Sequence, residues 1–169
     1  MKRRGFTIVE LIITITIMGI LLTLAIVNVG ATQAKARDTE RKGDIDAISS
    51  ALEDFYTSGT TGTVNFARYP SLDINVSTTA ITTNLRDTNL KSFMAPGISD
   101  PMTTFIAATN AVQSTSGVLP QPTKDQYVYQ PIKSDGTICA VGDIDCRKFN
   151  LYYLLESDNL VYQVTSKNQ

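Results

Sequence analysis

The 169-residue sequence contains no histidine and no tryptophan. Without histidine it lacks the commonest general base and the commonest metal ligand of proteins, which weighs against an enzyme. Charged residues make up 18% of the chain, below the roughly 25% that is usual in soluble domains. The formal net charge is −1, and no Lys/Arg-rich patch outside the first four residues favours direct nucleic-acid binding.

The shortage of charged residues is concentrated near the N-terminus. Residues 11–34 contain no Asp, Glu, Lys or Arg, and the first proline of the chain is Pro70. A helix needs about 20 apolar residues to cross a bilayer, so this run is long enough to span one. Because the basic residues 2–4 precede it, the positive-inside rule places the N-terminus in the cytoplasm and the rest of the chain outside.

Glu10 interrupts the apolar segment close to its start. Three interpretations compete: a secretory signal peptide, a plain membrane anchor, or a chain that is cut between Gly5 and Phe6. A signal peptide usually has a shorter apolar region of about 7–15 residues, and a plain anchor gives the glutamate no function. Cleavage would create an α-amine on Phe6, one helical turn before Glu10, with which the carboxylate of the same or a neighbouring chain can pair.

The stretch KRRGFTIVELI, followed by a long apolar helix, resembles the class III prepilin leader of type IV pilins and type II secretion pseudopilins. Gly5, Phe6, Thr7 and Glu10 match the family pattern of a leader ending in Gly, then Phe-Thr, then a glutamate at the fifth mature position. The resemblance implies cleavage after Gly5, N-methylation of Phe6 by a prepilin peptidase, and pairing of Glu10 with a neighbour's N-terminus during filament assembly. The chain departs from many type IV pilins in having no helix-kinking proline in the apolar segment.

The resemblance also implies a function, a location and partners. The expected protein is a structural subunit and not an enzyme: a single-pass protein of the cytoplasmic membrane that is polymerised into an extracytoplasmic or cell-surface filament. The implied partners are copies of itself, other pilins, the prepilin peptidase, and an assembly ATPase that acts through a membrane platform protein. The leader does not separate a major pilin, a minor pilin and a secretion pseudopilin. The alternative is a membrane-anchored binding module or enzyme whose helix is a simple tether.

The helix is expected to continue beyond the apolar segment. Ile45, Ile48, Leu52 and Phe55 follow helical spacing, which predicts an amphipathic helix with one buried face. Because no proline interrupts residues 6–56, we predict one helix, about 75 Å long at 1.5 Å per residue.

The mixed charges of residues 35–46 form either a solvated face or contacts with neighbouring subunits, and the sequence leaves both open. Asp38 and Lys42 have the spacing of an i,i+4 ion pair.

The pattern changes to strands after Lys124. The stretches QYVYQPI, KFNLYYLLE and LVYQVT are rich in β-branched and aromatic residues, and SDN joins the last two as a hairpin. We therefore predict an α+β, pilin-like fold in which a long N-terminal helix packs on a small antiparallel sheet. The predicted segments are a cleaved leader (1–5), a transmembrane or filament-core helix (6–34), its amphipathic continuation (35–56), and a C-terminal domain (57–169).

Two further features lie in the C-terminal domain. Cys139 and Cys146 are predicted to form a disulfide, since the exported domain meets an oxidising compartment and two cysteines without histidine make a poor metal site. Asp135, Asp143 and Asp145 are candidate calcium ligands, because major pseudopilins have a calcium loop in this part of their fold. Their spacing does not match an EF-hand, and a solvated turn is the simpler interpretation. No other cofactor is indicated.

Overall fold

A computed structural model describes residues 5–59, 67–85 and 88–168, and of residues 25–28 it describes only the backbone. The basic leader residues 2–4 lie outside the described residues. The first element is α1, one helix from Ile8 to Ser58. It ends at Gly59, whose φ of 65° suits glycine and whose N–H donates to the carbonyl of Phe55.

The C-terminal domain folds against the second half of α1. Its sheet has four strands in the order β1-β2-β3-β4. In chain order the elements are a 3-10 helix at Leu72–Asn75, α2 at Thr78–Asn84, a second 3-10 helix at Leu90–Phe93, α3 at Pro101–Thr104, β1 at Phe105–Ala107, β2 at Tyr127–Lys133, β3 at Cys146–Leu154 and β4 at Val161–Thr165.

The sheet is mixed and not purely antiparallel as predicted. β2, β3 and β4 pair antiparallel in the predicted order, with Tyr129 opposite Leu151 and Leu151 opposite Val164. β1 is added parallel to β2, with Phe105 opposite Tyr127. Three residues are too few to show strand periodicity in a sequence, which is why β1 escaped prediction.

The predicted apolar stripe of α1 covers one face of this sheet. Ile45, Ile48, Leu52 and Phe55 are at most 5% exposed. They pack in one core with side chains that alternate along β2 and β3, namely Tyr127, Tyr129, Phe149, Leu151 and Tyr153. The amphipathic helix therefore has its partner within the same chain, as predicted.

The opposite face of the sheet is covered by the loop between β1 and β2. Val118 of that loop packs with Val128 and Tyr152 in a second, smaller core. The loop makes a close turn at Gly117, where a Cβ atom would lie 2.4 Å from Cγ1 of Val112. A side chain at position 117 would have to displace the side chain of Val112, because real Cβ atoms do not approach another carbon so closely.

A buried ionic joint connects α1 to the turn between β3 and β4. The Arg41 side chain is 1% exposed. Its Nη1 donates to Asp38 Oδ1 at 2.9 Å, its Nε donates to the carbonyl of Lys124 at 2.9 Å, and its Nη2 pairs with Glu156. Arg37 adds a second guanidinium to Glu156, with Nη2 2.6 Å from Oε2. These hydrogen bonds from Arg37 and Arg41 lower the pKa of Glu156 to about 2.

Asp38, which lies on α1, also binds the β3–β4 turn. Its carboxylate accepts the backbone N–H of Glu156 at 2.8 Å and that of Ser157 at 2.9 Å. Burial alone would raise the pKa of Asp38, but these N–H donors and the charge of Arg41 hold it below the usual value. The predicted ion pair with Lys42 is replaced by the pair with Arg41, and Lys42 is exposed. Part of the charged segment is therefore a buried contact and not a solvated face.

Replacing Glu156 by Ala should strongly destabilise the protein. The change removes one of the two carboxylates that pair with the buried guanidinium of Arg41, whereas Asp38 stays. We therefore expect the free energy of unfolding to fall by about 1.5–3 kcal/mol. Denaturant unfolding of the full chain in detergent measures it. The matched control is Lys91→Ala, which breaks the exposed Lys91–Glu40 pair at 3.7 Å and should change stability by less than about 1 kcal/mol. Equally small losses of unfolding free energy in both variants would show that the ionic joint does not stabilise the fold.

Asp44 is a second polar contact between α1 and the sheet. The buried Tyr127 donates its hydroxyl to Asp44 Oδ2 at 2.9 Å. Burial raises the pKa of Asp44 to about 6 against the effect of the Tyr127 hydrogen bond, and Glu40 one turn earlier raises it further. Because this value exceeds the ordinary 3.8, the folded state binds a proton more tightly than the unfolded state. The charged carboxylate therefore destabilises the fold fully above pH 6, and the penalty disappears as the pH falls towards 4.

The variant Asp44→Asn should raise the thermal unfolding midpoint at pH 7.5 and leave it nearly unchanged at pH 4. Asparagine still accepts the Tyr127 hydrogen bond but carries no charge, and at low pH the wild-type carboxyl is already neutral. Since Asp44 is only half-buried, the gain at neutral pH should be about 1 kcal/mol. Thermal unfolding of both proteins at the two pH values measures it. A midpoint difference between the two proteins that is the same at both pH values would show that the charge of Asp44 does not cause it.

Candidate processing and assembly site

The predicted cleavage bond lies immediately before the first turn of α1. Thr7 is the N-cap residue, with extended backbone angles of φ −80° and ψ 150°. Its hydroxyl accepts the backbone N–H of Glu10 at 3.2 Å, and its carbonyl accepts that of Leu11. An N-cap of this kind satisfies an N–H group that has no partner within the helix. The cap therefore holds the Gly5–Phe6 bond outside the helix.

The residues on both sides of this bond are open to solvent. Gly5 is exposed, and Phe6 is 81% exposed. Exposed non-helical backbone is where proteases cut folded chains. The surroundings of Gly5 and Phe6 thus suit processing, which stays a prediction, as does the methylation of the new amine.

Glu10 occupies the first turn of α1, three residues after the N-cap. A negative charge is favourable there because it faces the positive end of the helix dipole. Thr7 and Glu10 also have the spacing of a capping box, and the structure shows the bond that Thr7 accepts. The leader motif indicates Thr7 only as a family position, whereas the Thr-x-x-Glu spacing is the signal for its capping function. Thr7 and Glu10 thus have a local function, which is to cap the start of α1. Pairing of Glu10 during assembly would be an additional function.

The first half of α1 presents an apolar surface on all sides. The large apolar side chains from Ile8 to Leu24 are 52–79% exposed. The hydroxyls of Thr14, Thr16 and Thr23 donate to backbone carbonyls one turn earlier at 2.7–2.8 Å, which satisfies their polar groups within the helix. Such a surface is stable in a membrane or against other apolar helices. The helix is long and apolar enough to cross a membrane, a test that a signal sequence also passes.

The cysteines and aspartates predicted as sites lie together at one end of the C-terminal domain. Cys139 and Cys146 are buried and joined in a disulfide with a Cα–Cα distance of 5.6 Å, as predicted. Around them, Lys133 Nζ lies 2.7 Å from Asp143, and Arg147 Nε lies 2.6 Å from Asp145.

The third aspartate, Asp135, accepts the backbone N–H of Thr137 at 2.9 Å. Among residues 5–59, 67–85 and 88–168, no three His, Cys, Asp or Glu side chains are grouped to hold a metal ion. The calcium site therefore stays a prediction to which this arrangement adds no support.

We expect millimolar calcium to leave the thermal unfolding midpoint of the chain unchanged relative to EDTA. Lys133 and Arg147 already neutralise two of the three carboxylates, so a calcium ion would have to displace both cations. Thermal unfolding with calcium, with magnesium and with EDTA checks this. A midpoint that rises with calcium alone, and no longer does so in Asp143→Asn, would establish the site.

Comparison with known proteins places this geometry in a family context. The family model of the prokaryotic N-terminal methylation motif matches residues 1–26. The chain is 38% identical over 56 residues to the type IV major pilin protein PilA of Myxococcus xanthus, covering 33% of this chain and 26% of that protein. It is 39% identical over 74 residues to the type II secretion system core protein G of Pseudomonas aeruginosa, covering 42% of this chain and 47% of that protein. The core protein G of Escherichia coli is 36% identical over 52 residues, or 31% of this chain and 36% of that protein.

The chain thus spans between about a quarter and a half of the length of these curated relatives. No solved structure matches it. The matched motif contains Gly5, Phe6 and Glu10, and the relatives are a pilin and secretion core proteins. The resemblance to pilins and pseudopilins that the leader KRRGFTIVELI indicated is confirmed over the matched part of the chain.

Proposed function

We propose that this protein is a structural subunit of a type IV pilus or a pseudopilus, cut between Gly5 and Phe6 and polymerised through α1. The observation that carries the proposal is the capped start of an uncovered apolar helix directly after the matched leader. The second half of the same helix is covered by its own domain. The first half of α1 is therefore available for assembly, and the second half carries the folded domain.

Two interactions with different properties hold such a polymer together. Apolar packing of α1 against its copies supplies adhesion without direction. A carboxylate left unpaired in a bilayer costs about 2.5–3.5 kcal/mol on insertion scales, so the Phe6 amine of a neighbour is a favourable partner for Glu10. Because Phe6 and Glu10 lie at different heights along the axis of α1, the pair fixes how far neighbouring copies are displaced from each other. The ion pair thus sets the register that apolar packing cannot set.

The same proposal specifies a route and partners. The basic leader keeps the N-terminus in the cytoplasm, and the C-terminal domain lies outside. A prepilin peptidase would cut the leader and methylate Phe6, and an assembly ATPase with a membrane platform protein would drive polymerisation with copies of the chain and other pilins. The relatives, a type IV major pilin and a type II secretion core protein, support the polymerisation with other pilins.

The alternative is a binding module or an enzyme that α1 merely tethers to the membrane. It requires neither cleavage at Gly5 nor a carboxylate at Glu10. The motif match and the relatives favour the filament subunit over this alternative.

Glu10→Gln tests the proposal more sharply than a change to Ala. Glutamine is compatible with the capping box but carries no charge, so the helix start is kept and only the ion pair is lost. We expect both Glu10→Gln and Glu10→Ala to be inserted and cut normally, and to yield at least about tenfold fewer filaments by electron microscopy, since a register-setting pair buried in apolar surroundings is removed.

The control is Glu40→Ala, which removes an exposed glutamate of the same helix beyond the apolar segment and should leave filament number unchanged. Normal filaments from Glu10→Gln would show that the carboxylate serves only the helix start.

A further inference from the structure

The ionic joint fixes the height of the β3–β4 turn along α1. This turn comprises residues 155–160, between β3 and β4. Asp38 accepts the backbone N–H groups of Glu156 and Ser157, and Arg37 pairs with Glu156. Because the carboxylate of Asp38 is buried in these contacts, the turn cannot shift along the helix unless they break.

The turn lies at the end of the C-terminal domain that faces the apolar segment of α1. β3 begins at Cys146, two residues after Ile144, which lines a small cavity with Phe55. It ends at Leu154, directly before the turn that binds Asp38. The seventeen positions from Asp38 to Phe55 span about 25 Å of helix. The turn and the disulfide are therefore at opposite ends of the domain, and the turn is nearer to the N-terminal half of the helix.

Little of α1 separates the turn from the apolar segment. The segment without Asp, Glu, Lys or Arg, residues 11–34, ends four positions before Asp38, which is about 6 Å along the helix. The same segment forms about 36 Å of helix, enough to fill a hydrocarbon core of about 30 Å. The headgroup layer adds about 5–8 Å on each side of that core. When the apolar segment spans a membrane, the turn therefore lies at the height of the outer headgroup layer.

The turn presents one aliphatic side chain among polar ones. Leu160 is 57% exposed, and Ser157, Asp158 and Asn159 are exposed as well. The N–H of Asn159 donates to the carbonyl of Leu155 at 3.0 Å, and the N–H of Leu155 donates to the carbonyl of Leu160 at 3.1 Å. The turn is thus formed before it meets a partner, which lowers the entropic cost of binding.

Charges of both signs surround the turn. The cations at this end of the domain and on the adjoining part of α1 are Lys35, Arg37 and Lys124, and the carboxylates are Asp125, Glu156 and Asp158. A zwitterionic phospholipid headgroup also carries both signs, so it can offer a counter-charge to either kind of side chain. Since the two sets are equal in number, no preference for anionic lipids is expected. Position along the helix and the exposed leucine, not net charge, bring the turn to the membrane.

We propose that the β3–β4 turn of the unassembled subunit rests on the outer headgroup layer of the membrane, with Leu160 inserted between the headgroups. The partner is the same phospholipid layer that α1 is long and apolar enough to span, so the contact continues the lipid contact of the helix. This inference rests on the membrane insertion that the proposed function includes. The domain stands on the membrane by its turn, and the disulfide lies about 25 Å farther out.

Tryptophan fluorescence tests the contact, because the chain contains no tryptophan of its own. The variant Leu160→Trp places one indole on the turn. The full chain is reconstituted in phosphatidylcholine vesicles with and without a lipid that carries a nitroxide on its headgroup, which quenches an indole only at close range. We expect the nitroxide lipid to lower the emission at least about twofold, since the turn lies within the headgroup layer.

The matched control is Ile144→Trp, which replaces an aliphatic residue that is 73% exposed at the opposite end of the domain. The nitroxide lipid should leave its emission unchanged, because about 25 Å of helix separates the two ends. Ser157→Trp is a second probe of the turn and keeps the backbone N–H that Asp38 accepts. It should be quenched like Leu160→Trp, and all three variants should unfold at the wild-type temperature.

Two results would overturn the contact and leave the proposed function intact, because cleavage and filament number are measured separately. Equal quenching of Leu160→Trp and Ile144→Trp would show that the domain lies on its side. Quenching of neither turn variant, with the chain bound to the vesicles, would show that the domain stands clear of the membrane. A wild-type chain that does not remain with the vesicles would overturn both the contact and the proposed function.

Discussion

The structure depends on one constraint: the apolar surface of the first half of α1 needs a partner that no other described part of the chain supplies. Its side chains from Ile8 to Leu24 are largely exposed. The same helix buries Ile48 and Leu52 completely once it reaches the sheet. A helix that is covered at one end and uncovered at the other must find its second partner in a membrane or in other chains. The capped start and the matched leader motif both lie at this uncovered end.

The second requirement is that the domain be fixed on the helix that carries it. Apolar packing of Ile45 and Phe55 holds the helix on the sheet. The buried Arg41 fixes the position of the domain along the helix. Its guanidinium joins Asp38 on the helix, the carbonyl of Lys124 and the carboxylate of Glu156. A contact to three separate parts of the chain fixes where the domain sits along α1. An axial displacement between the helices of two copies in a polymer would then displace their domains by the same amount.

The parts of the fold that were predictable from the sequence are those with local periodic signals. The stripe through Ile45 and Leu52 and the hairpin of β3 and β4 follow helical and strand periodicity, and both are confirmed. The disulfide between Cys139 and Cys146 followed from their number and the compartment.

The ionic joint had no such signal. Arg41 reads as part of a solvated face, because its partner Glu156 is 115 positions away in the chain. The parallel pairing of β1 was hidden for a similar reason, since three residues carry no periodicity. At the assembly site, the leader motif gave Gly5, Phe6 and Glu10, while the capping bond of Thr7 needed the local geometry of the helix start.

The most direct test of the account is mass spectrometry of the intact chain and its N-terminal peptide after co-expression with a prepilin peptidase. A subunit that assembles through α1 should begin at Phe6 and carry one methyl group on its α-amine. That result would show that the uncovered helix is kept and that its new N-terminus is available to Glu10 of a neighbour. A chain that still begins at Met1 would favour a simple tether, and one that begins after Ala34 would show that the helix is a discarded signal sequence. Either of these results would contradict the proposed assembly through α1.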